Sequence, residues 1–322
     1  MIAFAVRRLV ATALVMFALS VLGFLIFFAT PGVDPAARIA GRNASPETLQ
    51  QVRHDFGLDR SKPVQYAIMM KKLFWSRDLT SFVNRGAKVV PQITDAAPVT
   101  LSLVFGAVII WVVVGIAMGT AAAVMRGTFV DPLLMVLGLI GISMPVFWLG
   151  EVINLITQSR LHAEVFSWVP PLGYTPISAD PVLWFKHLIF PWLTLSVLYI
   201  GFYGRVLRSN LVETENEDFV RTARAKGITE RRVLFRHVLR TSMISFVSLL
   251  GLDFGALVAG GALLTEVVYG LPGVGKLTYD SLENLDLPVI MATVMYASFF
   301  VVAANAVVDI VYGFLDPRVR VG

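Results

Sequence analysis

Six long stretches of this chain are almost free of charge, and polar or charged segments separate them. They run near 9–28, 99–124, 132–157, 188–208, 243–268 and 289–313. Each is long enough to supply the roughly 20 mostly apolar residues that a helix needs to cross a bilayer. The pattern predicts an all-α polytopic membrane protein with six transmembrane helices. The first stretch follows Arg7-Arg8 and could pass for a secretory signal. It is longer than a signal core and no A-x-A-like site closes it, so it reads as an uncleaved span. Two segments between spans carry their own signals. In "SPETLQQVRHDFGL", Ser45 is placed to cap a helix, with Pro46 and Glu47 in its first turn and Gly57 closing it. "VQYAIMMKKLFW" reads as a second amphipathic helix at the outer interface, where Trp75 is at home. "HAEVFSWVPPLGYTPISADP" is rich in Pro and aromatics and reads as irregular. The expected organisation is a first helix with a partly helical extracytoplasmic loop over 1–98, then a five-helix core over 99–322 with a charged hairpin at 213–240.

Composition agrees. The chain is 56% hydrophobic and 15% charged, against about 25% charged in soluble domains. It has no cysteine, which excludes disulfides, thiolate metal sites and cysteine nucleophiles. The +5 net charge follows from topology, not from nucleic acid. With the N-terminus inside, Arg7, Arg8, Arg126, nine residues from Arg205 to Arg240, Arg318 and Arg320 face the cytoplasm. Only Arg160, Lys186 and Lys276 occupy the short outer loops, which predicts N-in and C-in.

The densest charge lies in "EDFVRTARAKGITERRVLFRHVLR", residues 217–240. Glu217 and Asp218 open a helix, Arg221, Arg224 and Lys226 follow, and Gly227 ends it, an order that complements the helix dipole. Thr229 can cap a second helix, with Ile228 and Val233 spaced as a hydrophobic staple. A loop serving topology alone needs neither two capped helices nor Phe219, Val220, Ala223 and Ala225 among its charges. A docking element for a cytoplasmic partner accounts for both. The face bearing Ala223 is expected to be buried against that partner, and Arg231 and Arg232 to be solvated.

"RTARAKG" followed by "HVLR" resembles the cytoplasmic loop of permease subunits in ATP-binding-cassette importers, and specifically the variant of dipeptide and oligopeptide importers. Aligned on Gly227, the general family's E-A-A falls on Arg221, Thr222 and Ala223, of which only the last matches. Ser245 stands where relatives often have proline. "RRLVATALVMFALSVLGFLIFFATPGVDP" (with Val33 inserted), "FGLDRSKPVQY", "GISMPVFWLG", "GLPGVGKL" and "NAVVDIVYGFLDPRVR" extend the likeness over nearly the whole chain, to the B-type permease subunit. The resemblance implies a type I importer permease with no catalytic site of its own. It implies that Glu217, Asp218, Phe219, Arg221, Thr222, Ala223, Arg224, Ala225, Lys226 and Gly227 couple to an ATPase. The implied partners are a second permease subunit, two cytoplasmic ATPase subunits that hold ATP and Mg, and an extracytoplasmic binding protein that delivers peptide. The implied location is a bacterial or archaeal cytoplasmic membrane. Nickel or a metal chelate is the alternative substrate.

"GLPGVGKL" nearly matches a phosphate-binding loop, but Leu277 replaces the required hydroxyl and the topology places it outside. It reads as a tight outer turn. His54, His162, His187 and His237 show no metal-ligand spacing. Ionisable residues within spans face cavities or partners. Glu266 and Asp309 fit structural pairing, whereas Glu151 and Asp253 are candidates to line a pathway, with Met144-Pro145 as a bend beside a gate. A self-sufficient secondary transporter would more commonly show internal inverted repeats. None is evident, nor is any motif of a membrane-embedded enzyme.

Overall fold

The computed structural model describes residues 2–28, 36, 45–55, 57–84, 86–159 and 164–315. The expected turn at 31–35, Arg160, His162, Arg318 and Arg320 lie outside the described residues, as do the side chains of Arg7, Arg8 and Asp309. Helix α1 spans Ile2–Phe28, α2 Pro46–Asp55, and α3 Lys62–Met70 with a π-helical turn at Lys71–Trp75. Then come α4 (Val89–Val124), α5 (Val130–Ser143), α6 (Val146–Thr157) and α7 (Pro181–Thr214). The charged segment forms α8 (Asp218–Ala225) and α9 (Glu230–Val233), which passes through a π turn at Leu234–Val238 into α10 (Leu239–Ala256). A second π turn at Leu257–Gly261, α11 (Leu263–Val268), α12 (Val274–Asn284) and α13 (Leu287–Leu315) complete the order. Among the described residues the one extended pairing is a bridge between Thr80 and Lys88.

The chain is therefore an all-helical polytopic membrane protein. Four helices are long and apolar enough to cross: α4, α7, the run Glu230–Gly261, and α13 over Leu287–Val308. The expected third span is instead a pair, α5 and α6, bent by 94°. Met144 (φ −80°, ψ 126°) and Pro145 (φ −62°, ψ 127°) both leave the helical region there. Pro145 lacks an N–H and disfavours helix for the residue before it, so the break falls where the sequence dictates. In α1 the shorter apolar helix is Val10–Ile26. Helix α4 begins earlier than the periodicity suggested and runs unbroken past Pro98, so the expected boundary at 98/99 falls inside a helix. The fifth span is interrupted at Gly260, whose φ of 136° breaks the helix before α11.

Helix α7 is the post around which the core is built. Asp180 caps it, accepting from the N–H groups of Val182 (2.9 Å) and Leu183 (3.0 Å), with Pro181 at its first position. Its packing against α4 and α5 is close enough to exclude side chains. A Cβ on Gly119 would stand 2.6 Å from the Gly204 carbonyl oxygen, and one on Gly201 would overlap the Gly138 backbone. In a bilayer, where no hydrophobic effect drives helices together, such small residues permit backbone approach and the dispersion contacts that hold a bundle. Above and below these glycines, Trp111 stacks on Tyr199 with centroids 4.4 Å apart, and Tyr203 packs edge-on against Phe246 at 4.7 Å. A second buried cluster joins α1, α3 and the start of α13, through Phe24, Phe28, Met69 and Met291. It is pinned by the Ser20–Tyr66 hydroxyl pair (2.6 Å) and by Lys62 Nζ donating to the Phe28 carbonyl (2.6 Å).

The phosphate-loop lookalike is an anion cradle, and the anion is the chain's own. The Glu266 carboxylate is fully buried and accepts from Thr100 Oγ1 (2.6 Å) and from the Lys276 N–H (2.9 Å). Thr100 Oγ1 in turn accepts from the Val274 N–H (2.9 Å), so the first turn of α12 closes around the carboxylate. Exposed N–H groups and the dipole of a helix N-terminus favour an anion at that place. Gly273 leaves the room: a Cβ there would collide with the carboxylate. The opposite end of α12 is tied by Asp286, which accepts from Ser81 Oγ and from the Phe82 N–H (3.0 Å).

Glu266→Gln keeps the shape and sets an amide N–H₂ against backbone donors. It should cost about 1–3 kcal/mol, read as a lowered Tm of the detergent-solubilised chain. Lys276→Met removes only the half-exposed pair with Asp280, because the cradle uses the Lys276 backbone, and should change stability by no more than about 0.5 kcal/mol. Equal losses in the two variants would refute the cradle.

Candidate functional site

The hairpin over 217–240 folds as its caps dictate. Glu217 is extended (φ −69°, ψ 148°) and ends the link from α7; Asp218 opens α8. Within α8 the Thr222 hydroxyl donates to the Asp218 carbonyl (2.9 Å), and Arg221 pairs with the Asp218 carboxylate at 3.3 Å on the surface. Gly227 takes the left-handed conformation (φ 73°), and the N–H groups of Lys226, Gly227 and Ile228 close the C-terminus on the carbonyls of Thr222, Arg224 and Ala223. Thr229 is extended and starts α9. Arg224 reaches across the bend to grip Glu230, with its Nε 3.0 Å from one carboxylate oxygen and Nη2 3.2 Å from the other. That bond also pushes the Arg224 guanidinium pKa further up. The bend is thus set by a glycine conformation and a forked ion pair.

The two faces of the hairpin differ in kind. Val220 and Ala223 are buried in the chain's own core, in the same cluster as Leu207, Leu211, Val233 and Val238. This corrects the expectation for Ala223: the small residue packs inward, because the apolar stripe of α8 is consumed by the body of the protein. Glu217, Asp218, Arg221, Thr222, Arg224, Ala225, Lys226 and Gly227 are exposed, and Phe219 is 43% exposed beside them. Arg231 and Arg232 are exposed as well. The hairpin's base is clamped between α7 and α10: the Ser242 hydroxyl donates to Thr214 Oγ1 (3.1 Å), and Asn210 Nδ2 reaches the Ser242 carbonyl (3.4 Å). Force applied to α8 is therefore delivered to both long helices.

The four pathway candidates are not brought to one place. Met144 and Pro145 form the α5–α6 break. Glu151 is exposed on α6, next to Gly150, where α6 packs on Val268 and Tyr269, and Asn154 Nδ2 donates to the Val268 carbonyl (3.0 Å). Asp253 is half-buried on α10 and accepts from the Tyr203 hydroxyl (2.6 Å). One further pair was not anticipated: Arg208 on α7 holds Asp131 at the start of α5 with two bonds of 2.5 Å. The partners are 77 residues apart, and nothing local in the sequence links them. Among the described residues no group of three or more His, Asp or Glu side chains could hold a metal ion.

Comparison with known proteins decides the family. Residues 111–321 match the model for the binding-protein-dependent transport system inner membrane component, and residues 1–104 match that for its N-terminal region. The chain belongs to this permease family. A Brucella abortus protein, named for a peptide transport system permease, is 37% identical over 99% of both chains. The glutathione transport system permease of Salmonella paratyphi A is 36% identical, again over 99% of both. A dipeptide transport system permease of Alkalihalophilus pseudofirmus is 29% identical over 99% of this chain and 100% of its own. The permease assignment makes the chain a multi-pass transport subunit, not a catalytic enzyme, and fits its apolar helices to an inner membrane.

In this permease the two faces of α8 should respond differently. Ala223→Arg forces bulk and charge into a close-packed site, and overpacking alone costs about 1–3 kcal/mol. Phe219→Ser and Arg221→Gln alter the exposed face and should leave stability within about 0.5 kcal/mol. Thermal unfolding of the three detergent-solubilised variants checks this. A stable Ala223→Arg chain would put that residue on the outer face after all.

Proposed function

We propose that this permease is one of two membrane subunits of an ATP-driven peptide importer, with six spans and both termini in the cytoplasm. It sits in a bacterial cytoplasmic membrane. The observation that carries the reading is the clamped hairpin: a charged outer face fixed rigidly to α7 and α10 is what a device needs if it is to take a push from another protein. The full-length likeness to permeases named for peptides, dipeptides and glutathione supports the substrate class.

In this mechanism two cytoplasmic ATPase subunits bind ATP and Mg and close on each other. Each carries a groove for one hairpin, and the exposed residues Glu217, Asp218, Phe219, Arg221, Thr222, Arg224 and Lys226 seat there. Ala225 and Gly227 keep that surface slim. Closure moves α8, and the Ser242–Thr214 clamp passes the motion to α7 and α10. Helices of this chain and of a second permease subunit then open on one side of the membrane and close on the other. An extracytoplasmic binding protein hands peptide to the outer side. Glu151 and Asp253 line the path, and the break at Met144-Pro145 lies beside its gate.

Reconstitution with the ATPase subunits and a second permease tests the reading. Peptide-loaded binding protein should stimulate hydrolysis several-fold, and this chain alone should hydrolyse nothing. Stimulation by nickel-loaded binding protein only would replace the substrate class. Arg221→Glu and Phe219→Ser should weaken ATPase retention in a pull-down without lowering Tm, and normal retention would remove the docking role. The absence of native cysteine makes topology simple to read. Single cysteines at Gly227 and Gly173 should react with an impermeant maleimide from the cytoplasmic and outer sides respectively. Labelling of both from one side would overturn the arrangement.

A further inference from the structure

Beyond the bend, Arg231, Arg232, Arg236 and Arg240 line one open groove together with Thr229 and Phe235. None of the four arginines has an acidic partner among the described residues, and Glu230, the nearest acid in sequence, is held by Arg224. Phe235 lies in their midst and is 56% exposed. A straight α-helix, turning about 100° per residue, would spread the four over an arc of about 180°. The π turn at Leu234–Val238 absorbs one residue and gathers them within about 100°. A need for positive charge on one side of the membrane would be met by arginines in any arrangement. It does not require a focused patch around an exposed aromatic ring.

The groove's depth follows from the helix that carries it. Arg240 is the last charged residue before Asp253, and the helix runs on to Gly261. That distance is about 31 Å, close to the roughly 30 Å hydrocarbon core. Arg240 therefore stands at the core boundary, and Arg236, Arg232 and Arg231 lie about 6–14 Å further out, at headgroup depth and just past it. Long arginine stems reach back along such a surface, and Phe235 suits the interface. We propose that this groove binds the headgroup of an anionic phospholipid. Guanidinium forks pair with phosphodiester oxygens, and Phe235 packs beside the glycerol region. An acidic protein surface would also match the charge, but continuity with the span and the exposed ring favour lipid. The inference rests on membrane insertion of α10 and not on ATPase docking or peptide transport.

Native mass spectrometry of the full-length chain in detergent tests it, with phosphatidylglycerol and phosphatidylcholine as probes. The chain should retain phosphatidylglycerol about tenfold or more tightly, less so as ionic strength rises. The variant Arg232→Gln/Arg236→Gln/Arg240→Gln should lose that preference, and Phe235→Ser should weaken it. If the triple variant fails to fold, single Arg236→Gln and Arg240→Gln chains carry the comparison. Equal retention of the two lipids, or undiminished preference in the variants, would overturn the site. Full displacement of lipid by millimolar inorganic phosphate would make it a free-anion site and overturn the lipid assignment. Loss of ATPase pull-down with lipid preference unchanged would make the groove a protein surface and overturn it likewise.

Discussion

The approach of α7 to α4 and α5 is made through backbone, at Gly204 against Gly119 and at Gly201 against Gly138. In lipid the apolar side chains of a helix gain little by leaving their solvent for a neighbouring helix. Close backbone contact is what gives this bundle a defined geometry. Everything with a function hangs from that arrangement. The bent pair α5–α6 is carried on α7, and Arg208 fastens the pair's near end. The hairpin leaves the end of α7 and re-enters the core through Val220 and Ala223.

Polar groups inside this core are few, and each acidic one has a different solution. Glu266 is surrounded by donors from a helix start and a threonine. Asp131 is matched by a forked guanidinium. Asp253 has a single phenol and remains half-exposed. The first two are satisfied within the chain and act as fasteners. The third keeps unused accepting capacity, which makes it the acid best placed to meet something outside the chain.

The sequence makes the spans legible because the bilayer forces long apolar runs, and the hairpin because its charges and Gly227 follow helix-end chemistry. The break at Met144-Pro145 is legible for the same local reason. What it hides is register and partner choice. The two π turns each add one residue to a turn, a change too small to disturb the apolar periodicity. The stripe of Phe219, Val220 and Ala223 announces an apolar contact on α8 without saying with what; Val220 and Ala223 turn to the core and Phe219 does not. The glycine contacts and the pairs Arg208–Asp131 and Thr100–Glu266 join residues 77 and 166 positions apart, and no local rule predicts them. "GLPGVGKL" was readable as an imperfect nucleotide motif, and the missing hydroxyl told against a nucleotide. Only the fold shows which carboxylate fills it.

Helix α12 is held at both ends, by Glu266 at its start and by Asp286 and Ser81 at its finish. The carboxylate at its start belongs to α11, so α11 and α12 are one rigid body stitched to the outer loop. Immediately before that body stands Gly260, with a backbone angle open to few residues but glycine and no atom within reach of a side chain there. Displacement of the outer end relative to α10 is therefore absorbed at this hinge, while the loop beyond it travels as a closed lid without bending.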